Sequence, residues 1–363
     1  MTFTPEDLHR LERLLAQVAR AEILPRFNRL QADEIRTKSS AVDLVTDADE
    51  AAERAIAAAL RDAYPDAVVV GEEAATRDPS LLDGLGTAQL AFVIDPVDGT
   101  RNFVAGLPAF GVMLAAVADG EIVAGIIHDP IARNSCLALR NGGAWQAFEH
   151  GPTRSLRVAA PAPVGQMEAV AAVGFLQEPL RSRVARNLAA FRSTTSLRCA
   201  AQEYRLAITG DCHVLMYNKL MPWDHAAGWL LHREAGGFSA HYDGRPYRVT
   251  QRTGGLLFAP DEASWRAVRD AVLGDAAFGE AFGVPTRSPS DGSALAGSHT
   301  ITIVVPSPPR TGADPGSGGR RGLCRRPVRP RGPPLRSLGI RSRGPGSHGP
   351  PRSGLQSSQQ RRL

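Results

Sequence analysis

Ala91-Phe92-Val93-Ile94-Asp95-Pro96-Val97-Asp98-Gly99-Thr100 is the stretch from which the rest of the chain can be read. Its first four residues form a short apolar run, the mark of a buried strand, and Pro96 is expected to cut it. Asp95 then stands at the strand's carboxyl end, where ligand sites gather in α/β architectures. Two carboxylates three residues apart across a tight Pro/Gly turn can converge on one point. Ionised at such range they repel each other strongly. A divalent cation between them removes that repulsion, and hard oxygen ligands suit magnesium. Gly99 permits close backbone approach, and the N–H groups of Gly99 and Thr100 can cradle a phosphate. An Asx-type turn that merely ends a strand uses the same residue types, so the surroundings have to decide.

Two further acidic clusters do so. Gly71-Glu72-Glu73 follows the apolar Val68-Val69-Val70, and Trp223-Asp224-His225-Ala226-Ala227-Gly228 opens a helix. Taken singly, Glu72 reads as part of a solvated turn and Asp224 as a helix N-cap. Taken in this order and spacing, the three clusters point to one acidic site.

Outward from these motifs, helical and strand patterns alternate. Thr4 caps a first helix, with Pro5 at its first position and Leu8, Leu11, Leu15 and Val18 on one face. A second helix is expected over 49–63. Residues 111–129 read as a hairpin turned by Asp119-Gly120, the pair a type I′ turn requires. Beyond it, a glycine turn and strand are expected over 141–148, strands over 168–175, 212–218 and 254–260, and helices over 178–191, 200–209, 224–234 and 262–273. Gly236-Gly237 should end the helix carrying Asp224. Hairpins and helix-separated strands together predict an α+β fold, with mixed sheets covered by helices.

The chain has 363 residues, 43% of them hydrophobic, enough for a large core. The four cysteines (Cys136, Cys199, Cys212 and Cys324) form no C-x-x-C pair, which argues against a disulfide framework or thiolate zinc site and for a reducing cytoplasm. Cys199 and Cys212 read as small core residues, His128 as structural, and His225 as a partly exposed histidine at a helix start. No signal peptide and no membrane span are expected. The net charge of +5 hides two parts: residues 283–363 hold fourteen arginines, no lysine and two acids, while the rest is acidic by seven charges. The basic segment is rich in Pro, Gly and Ser and is expected to be disordered. Its arginines lack interleaved aromatics, so nucleic-acid binding is not expected of the body and has only this tail as support.

The motifs GEE at 71–73, DPVDGTRNF at 95–103, WDHAAG to EAGG at 223–237 and KSSAVDLVTDAD at 38–49 resemble those of the inositol monophosphatase family. The resemblance implies a layered α-β-α-β-α sandwich, two or three magnesium ions, a small phosphorylated substrate and a homodimer. Division follows as 1–150 with most ligands, 151–282 with Asp224, and the tail 283–363. Carried over residue by residue, Glu72, Asp95 and the Val97 carbonyl hold a first ion. Asp95, Asp98 and Asp224 hold a second, and Glu72 with waters a third. Glu72, Thr100 and Asp49 take catalytic roles, the last two polarising the attacking water. Asp98, Gly99, Thr100, Lys38 and Lys219 face substrate or phosphate. Family members from animals carry a substrate-contacting glutamate shortly before the W-D pair; here Tyr217-Asn218-Lys219-Leu220-Met221-Pro222 has none. Lys219 in that stretch favours a substrate with a second negative group. A binding role in transcription is the alternative the tail allows.

Overall fold

The structure, a computed structural model, describes residues 3–38 and 44–274. The expected basic tail over 283–363 lies outside the described residues. A short antiparallel pair, β1 (Ile35–Thr37) and β2 (Leu44–Thr46), precedes the main sheets. The first main sheet has seven strands in sequence order: β3 (Val68–Gly71), β4 (Ala91–Asp98), β5 (Gly111–Ala118), β6 (Glu121–Asp129), β7 (Asn134–Leu139), β8 (Gly143–Phe148) and β9 (Arg154–Ser155). Only β3 and β4 run parallel; the other neighbours are antiparallel. The second sheet contains β10 (Glu168–Ala171), β11 (Ser193–Thr195), β12 (Val214–Tyr217), β13 (Phe238–His241) and β14 (Leu256–Ala259), ordered β11-β10-β12-β14-β13.

Helices cover and separate the sheets. They are α1 (Pro5–Val18), α2 (Asp47–Ala63), α3 (Glu72–Arg77), α4 (Thr100–Val104), α5 (Leu180–Asn187), α6 (Ala200–Ile208), α7 (Pro222–Glu234) and α8 (Glu262–Leu273). Strand alternation assigns the layers. Phe92 and Ile94 of β4 pack with Leu8 and Leu15 of α1 and Ile56 of α2. Ala91 and Val93, on the opposite face, pack with Tyr204 of α6 and Ala227 and Leu230 of α7, and with Leu215 and Phe258 of the second sheet. Val214 and Met216 face outward onto Leu180, Val184, Trp265 and Val268 of α5 and α8. The result is the five-layer α-β-α-β-α sandwich. Burial on both faces explains why β4 and β5 read as continuous apolar runs rather than alternating ones.

Local chemistry sets the element ends. Thr4 and Asp7 form a reciprocal capping box, Asp7 N–H to Thr4 Oγ1 at 3.2 Å and Thr4 N–H to Asp7 Oδ2 at 3.0 Å. Asp119 (φ 50°) and Gly120 (φ 77°) both take the left-handed conformation that the β5–β6 turn demands. Gly236 (φ 94°) ends α7 as expected.

Several boundaries differ from the sequence reading. The helix expected from Asp49 starts at Asp47, because Thr46 caps it. The strand expected over 168–175 stops at Ala171, and the helix expected over 178–191 spans Leu180–Asn187, continuing as a 3₁₀ turn. α7 begins at Pro222, two residues before Asp224, with Met221 as N-cap. β4 is not cut by Pro96 but runs through it to Asp98.

Helix α7 lies between the sheets, and ten of its thirteen residues are buried. It therefore shows no polar stripe. It can approach β6 closely because residue 125 is glycine: a Cβ there would stand 2.8 Å from the Ala227 carbonyl oxygen and 3.1 Å from its Cα. Gly125→Ala should push α7 away from the sheet. Thermal or urea unfolding should show a loss of about 1–3 kcal/mol; undiminished stability would mean that this approach does not constrain the core.

Candidate metal and phosphate site

The site begins with a register slip. Asp95 pairs across from Met113, but Asp98 pairs with Gly111, so one extra residue lies in β4 between them. In a regular strand, residues three apart point to opposite faces. The bulge at Pro96-Val97 cancels that opposition, and proline is tolerated there because a bulge needs no ladder N–H from it. Asp95 shares the face of Val93, toward α7. Asp224, third residue of α7, comes from the other side. Carboxylate oxygens of Asp95, Asp98 and Asp224 all lie within 4.8 Å of one another.

Each of these three is held differently. Asp95 is 1% exposed, and its Oδ1 accepts the Val97 N–H at 3.1 Å. Asp98 Oδ2 accepts the Ala201 N–H at 2.5 Å and the Cys199 thiol at 3.0 Å. Asp224 does not act as the helix N-cap that a lone reading suggested. Burial raises the proton affinity of all three, and the Glu72 charge raises it further. Asp98 adds to the effect on Asp95 and Asp224. Buried oxygen donors that repel one another in this way fit a divalent cation such as magnesium or calcium.

Glu72 is the first residue of α3 and lines the same cavity, but its carboxylate lies outside that three-residue cluster. Its Oε1 accepts from Lys38 Nζ at 2.8 Å, and Lys38 also reaches Glu73 Oε1 at 2.6 Å. Burial opposes the Lys38 charge, yet the two carboxylates hold its pKa above the ordinary lysine value. Glu73 is pushed up to about 8, by burial first and then by the Glu72 charge. Two carboxylates thus share one ammonium. Lys38, expected to face substrate, is placed instead on the acidic residues and does not line the cavity.

The start of α3 is fixed from α2. Glu53 accepts Glu73 N–H at 2.7 Å and Ala74 N–H at 2.8 Å, satisfying two of the helix's free donors. Gly71 makes this possible, since a Cβ there would fall 2.2 Å from Glu53 Cδ. The glycine of the G-E-E motif is therefore a packing requirement for the carboxylate beside it.

Thr100 and Asp49 meet as a pair. Thr100 Oγ1 lies 3.0 Å from Asp49 Oδ1 and 3.0 Å from the Val97 carbonyl oxygen. One hydroxyl proton can satisfy only one of them fully. Asp49 Oδ2 accepts Thr46 N–H at 2.9 Å and Thr46 Oγ1 at 2.5 Å. Burial lifts Asp49 to about 6, against those hydrogen bonds. Gly99 adopts φ 88° and caps α4; a Cβ there would meet the Ala109 carbonyl oxygen at 2.9 Å and Cys199 Cβ at 3.0 Å.

The cavity measures about 360 Å³ and is lined by Glu72, Asp95, Asp98, Thr100, Lys219 and Asp224 among others. Two expectations are corrected here. His225 is not exposed at the helix start: it is buried, with Nε2 2.8 Å from the Lys219 carbonyl oxygen and Nδ1 3.1 Å from Tyr204 Oη. Burial lowers its pKa to about 4, so it is neutral and structural. Cys199 is buried as expected but is more than core filling, since its thiol contacts Asp98. His128 is buried against Ser135 Oγ at 2.9 Å, in keeping with a structural role. Sequence reasoning did not place Cys199, Glu203 and Arg198 in the cavity wall; Cys199 reaches Asp98 from about a hundred residues along the chain. Among the described residues no helix is long and apolar enough to cross a membrane.

Comparison with known proteins accords with this geometry. The model of the inositol monophosphatase family matches residues 5–272. A fructose-1,6-bisphosphatase/inositol-1-monophosphatase of Thermotoga maritima is 29% identical over 215 residues, 59% of this chain and 78% of that one. The Nus factor SuhB of Pseudomonas aeruginosa is 34% identical over 219 residues, 57% of this chain and 75% of that one. Of solved structures, extragenic suppressor protein suhB from Bartonella henselae has a TM-score of 0.60 at 26% identity, covering 73% of this chain and 97% of that one. An IMPase of Thermotoga maritima has a TM-score of 0.60 at 24% identity over 74% of this chain and 98% of that one, a likeness of fold. With a matched region that spans every described element from α1 to α8 and includes all the acidic motifs, the chain belongs to the inositol monophosphatase family.

Proposed function

We propose that this protein is a magnesium-dependent phosphomonoesterase acting on a small phosphorylated metabolite. Family membership supports a phosphatase of the inositol monophosphatase/fructose-bisphosphatase type. The observation that carries the reading further is the convergence of Asp95, Asp98 and Asp224 within 4.8 Å, with Glu72 on the same cavity wall. Asp95, Asp98 and Asp224 would hold one ion; Glu72, Asp95 and the Val97 carbonyl would hold another, and Glu72 with waters a third. Bound magnesium supplies a water of lowered pKa and charge neutralisation for the transferring phosphoryl group.

The chain's own groups do the rest. Thr100 Oγ1 donates to Asp49 Oδ1, which leaves its lone pairs to accept from the attacking water; as that water's proton passes to Thr100, the Thr100 proton passes to Asp49. Asp49, lifted to about 6, stays predominantly ionised at neutral pH and keeps Thr100 as donor. The N–H groups of Gly99 and Thr100 receive phosphate oxygens at the strand-to-helix turn. Lys38 would leave Glu72 free for ligation while remaining paired with Glu73. Among the described residues, His225 is the one histidine that lines the cavity, and it is buried and committed to Tyr204 and Lys219.

A binding role is the second reading, raised by relatives named as Nus factors. The clustered carboxylates favour catalysis, since burying mutually repelling acids destabilises a fold unless a ligand uses them.

Asp95→Asn should abolish magnesium-dependent phosphate release while circular dichroism shows a folded protein. Near-normal turnover by that variant would sink the assignment. A second expectation follows from linkage. Carboxylates with raised pKa add stability below their unfolded values, and that stability is lost as pH rises through the folded ones. Asp49 near 6, Glu203 near 7 and Glu73 near 8 place this loss between the ordinary carboxylate range at about pH 4 and about pH 8. Protons compete with metal for the acid cluster. Magnesium should therefore raise the melting temperature more at about pH 8 than at about pH 5.5; an equal shift at both would contradict a carboxylate site.

A further inference from the structure

Five non-glycine residues among those described hold φ above zero: Asn28, Asp119, Arg133, Asn141 and Arg198. Asn and Asp tolerate this conformation; arginine does so poorly. Of the two arginines, Arg198 alone lines the cavity, at its rim. Its φ of 55° is where glycine would sit most easily.

The surroundings enforce that conformation. Glu203, buried beneath the turn, accepts Leu197 N–H at 2.8 Å and Arg198 N–H at 3.2 Å through one oxygen, with Ser196 Oγ at 3.5 Å. Asn102 donates to the Leu197 carbonyl at 2.7 Å and to the Ala109 carbonyl at 2.8 Å, tying the turn to the helix that follows Gly99. Cys199 bonds to Asp98 on its other side. Backbone strain that is over-determined in this way marks a place where a side chain has work to do. The same contacts tie the position of Arg198 to Asp98, a member of the acid cluster.

Among the described residues, Arg198 and Lys219 take part in hydrogen bonds only through the Arg198 backbone N–H and the Lys219 carbonyl; the Arg198 guanidinium and the Lys219 ammonium form neither a hydrogen bond nor an ion pair. Both line the cavity that holds the acid cluster. Lys219 lies on the loop before α7, close enough for its charge to act on Asp224. Two unpaired cations therefore come to the cavity from two different segments, one after β11 and one after β12, and Arg101 of α4 lines the same cavity, likewise without a side-chain partner among the described residues. Metal ions would neutralise the carboxylates and leave these cations facing the ligand.

We propose that Arg198 and Lys219 form a subsite for a second anionic group, so that the preferred substrate is a phosphomonoester carrying another phosphate or carboxylate. The inference rests on the phosphatase reading and adds Arg198 as the group that selects the substrate. Arginine suits this task because its planar fork meets two oxygens of one phosphate at once. A sugar bisphosphate and a nucleoside bisphosphate share the required chemistry.

The test uses the full chain with magnesium and two pairs of compounds. Fructose 1,6-bisphosphate is set against fructose 1-phosphate, and adenosine 3′,5′-bisphosphate against adenosine 3′-phosphate. Each pair is read twice, as kcat/KM and as calorimetric affinity. The wild-type protein should favour the doubly charged member of at least one pair, and which pair it is names the source. Arg198→Gly removes the guanidinium and relieves the strained φ. It should reduce the preference roughly tenfold or more, the scale of a charge-assisted hydrogen bond, with a melting temperature no lower than wild type. Arg198→Lys should recover part of the preference, and Lys219→Ala should reduce it independently. Absence of any preference in the wild type, or a preference that both Arg198→Gly and Lys219→Ala leave intact, overturns the proposal. Should no ester be hydrolysed, the phosphatase reading fails while the calorimetric comparison still decides for or against the subsite.

Discussion

Everything at the centre of this molecule answers to the repulsion among buried carboxylates. Asp95, Asp98 and Asp224 come from two elements on opposite sides of a cavity and meet within one ion's reach. Left to themselves they raise one another's proton affinity, because burial removes the water that would screen them. A fold that holds them there has to be rigid enough to resist that force. The rigidity is visible: Asp98 is held by Ala201 and Cys199, Asp95 by Val97, and Asp224 by a helix packed between two sheets.

That helix is the mechanical core. Its small residues, Ala226, Ala227 and Gly228, allow contact on several sides: Gly125 admits it to β6, and Gly228 admits the Tyr204 ring, where a Cβ would fall 2.1 Å from Cδ2. The neighbouring His225 joins Tyr204 to the Lys219 carbonyl, so the loop that carries Lys219 is bound to the same helix. The candidate metal ligand, the candidate substrate contact and the core packing therefore depend on one another.

Much of this was legible in the chain. Asp119-Gly120 forced a tight hairpin, Thr4 and Asp7 marked a helix start, and the apolar runs before Asp95 and Glu72 marked buried strands. These features rest on neighbours within four residues, which a linear reading can weigh. The register slip in β4 was not legible, because Pro96 breaks a strand as readily as it sits in a bulge. The burial of His225 was missed because a helix start looks exposed until a second helix covers it. Lys38 was assigned to substrate, yet Glu72 and Glu73, more than thirty residues away, claim its charge. Arg198 drew no notice at all, since a positive φ leaves no trace in an arginine.

By itself, then, the sequence settled which carboxylates exist, which strands and turns present them, and that mixed sheets with helices would carry them. Those are local matters, decided by chain geometry over a few residues. The tertiary structure decided which charges meet, which stay unpaired and which are spent on each other. Electrostatic pairing depends on distance in space, and only packing sets that distance between residues a hundred positions apart.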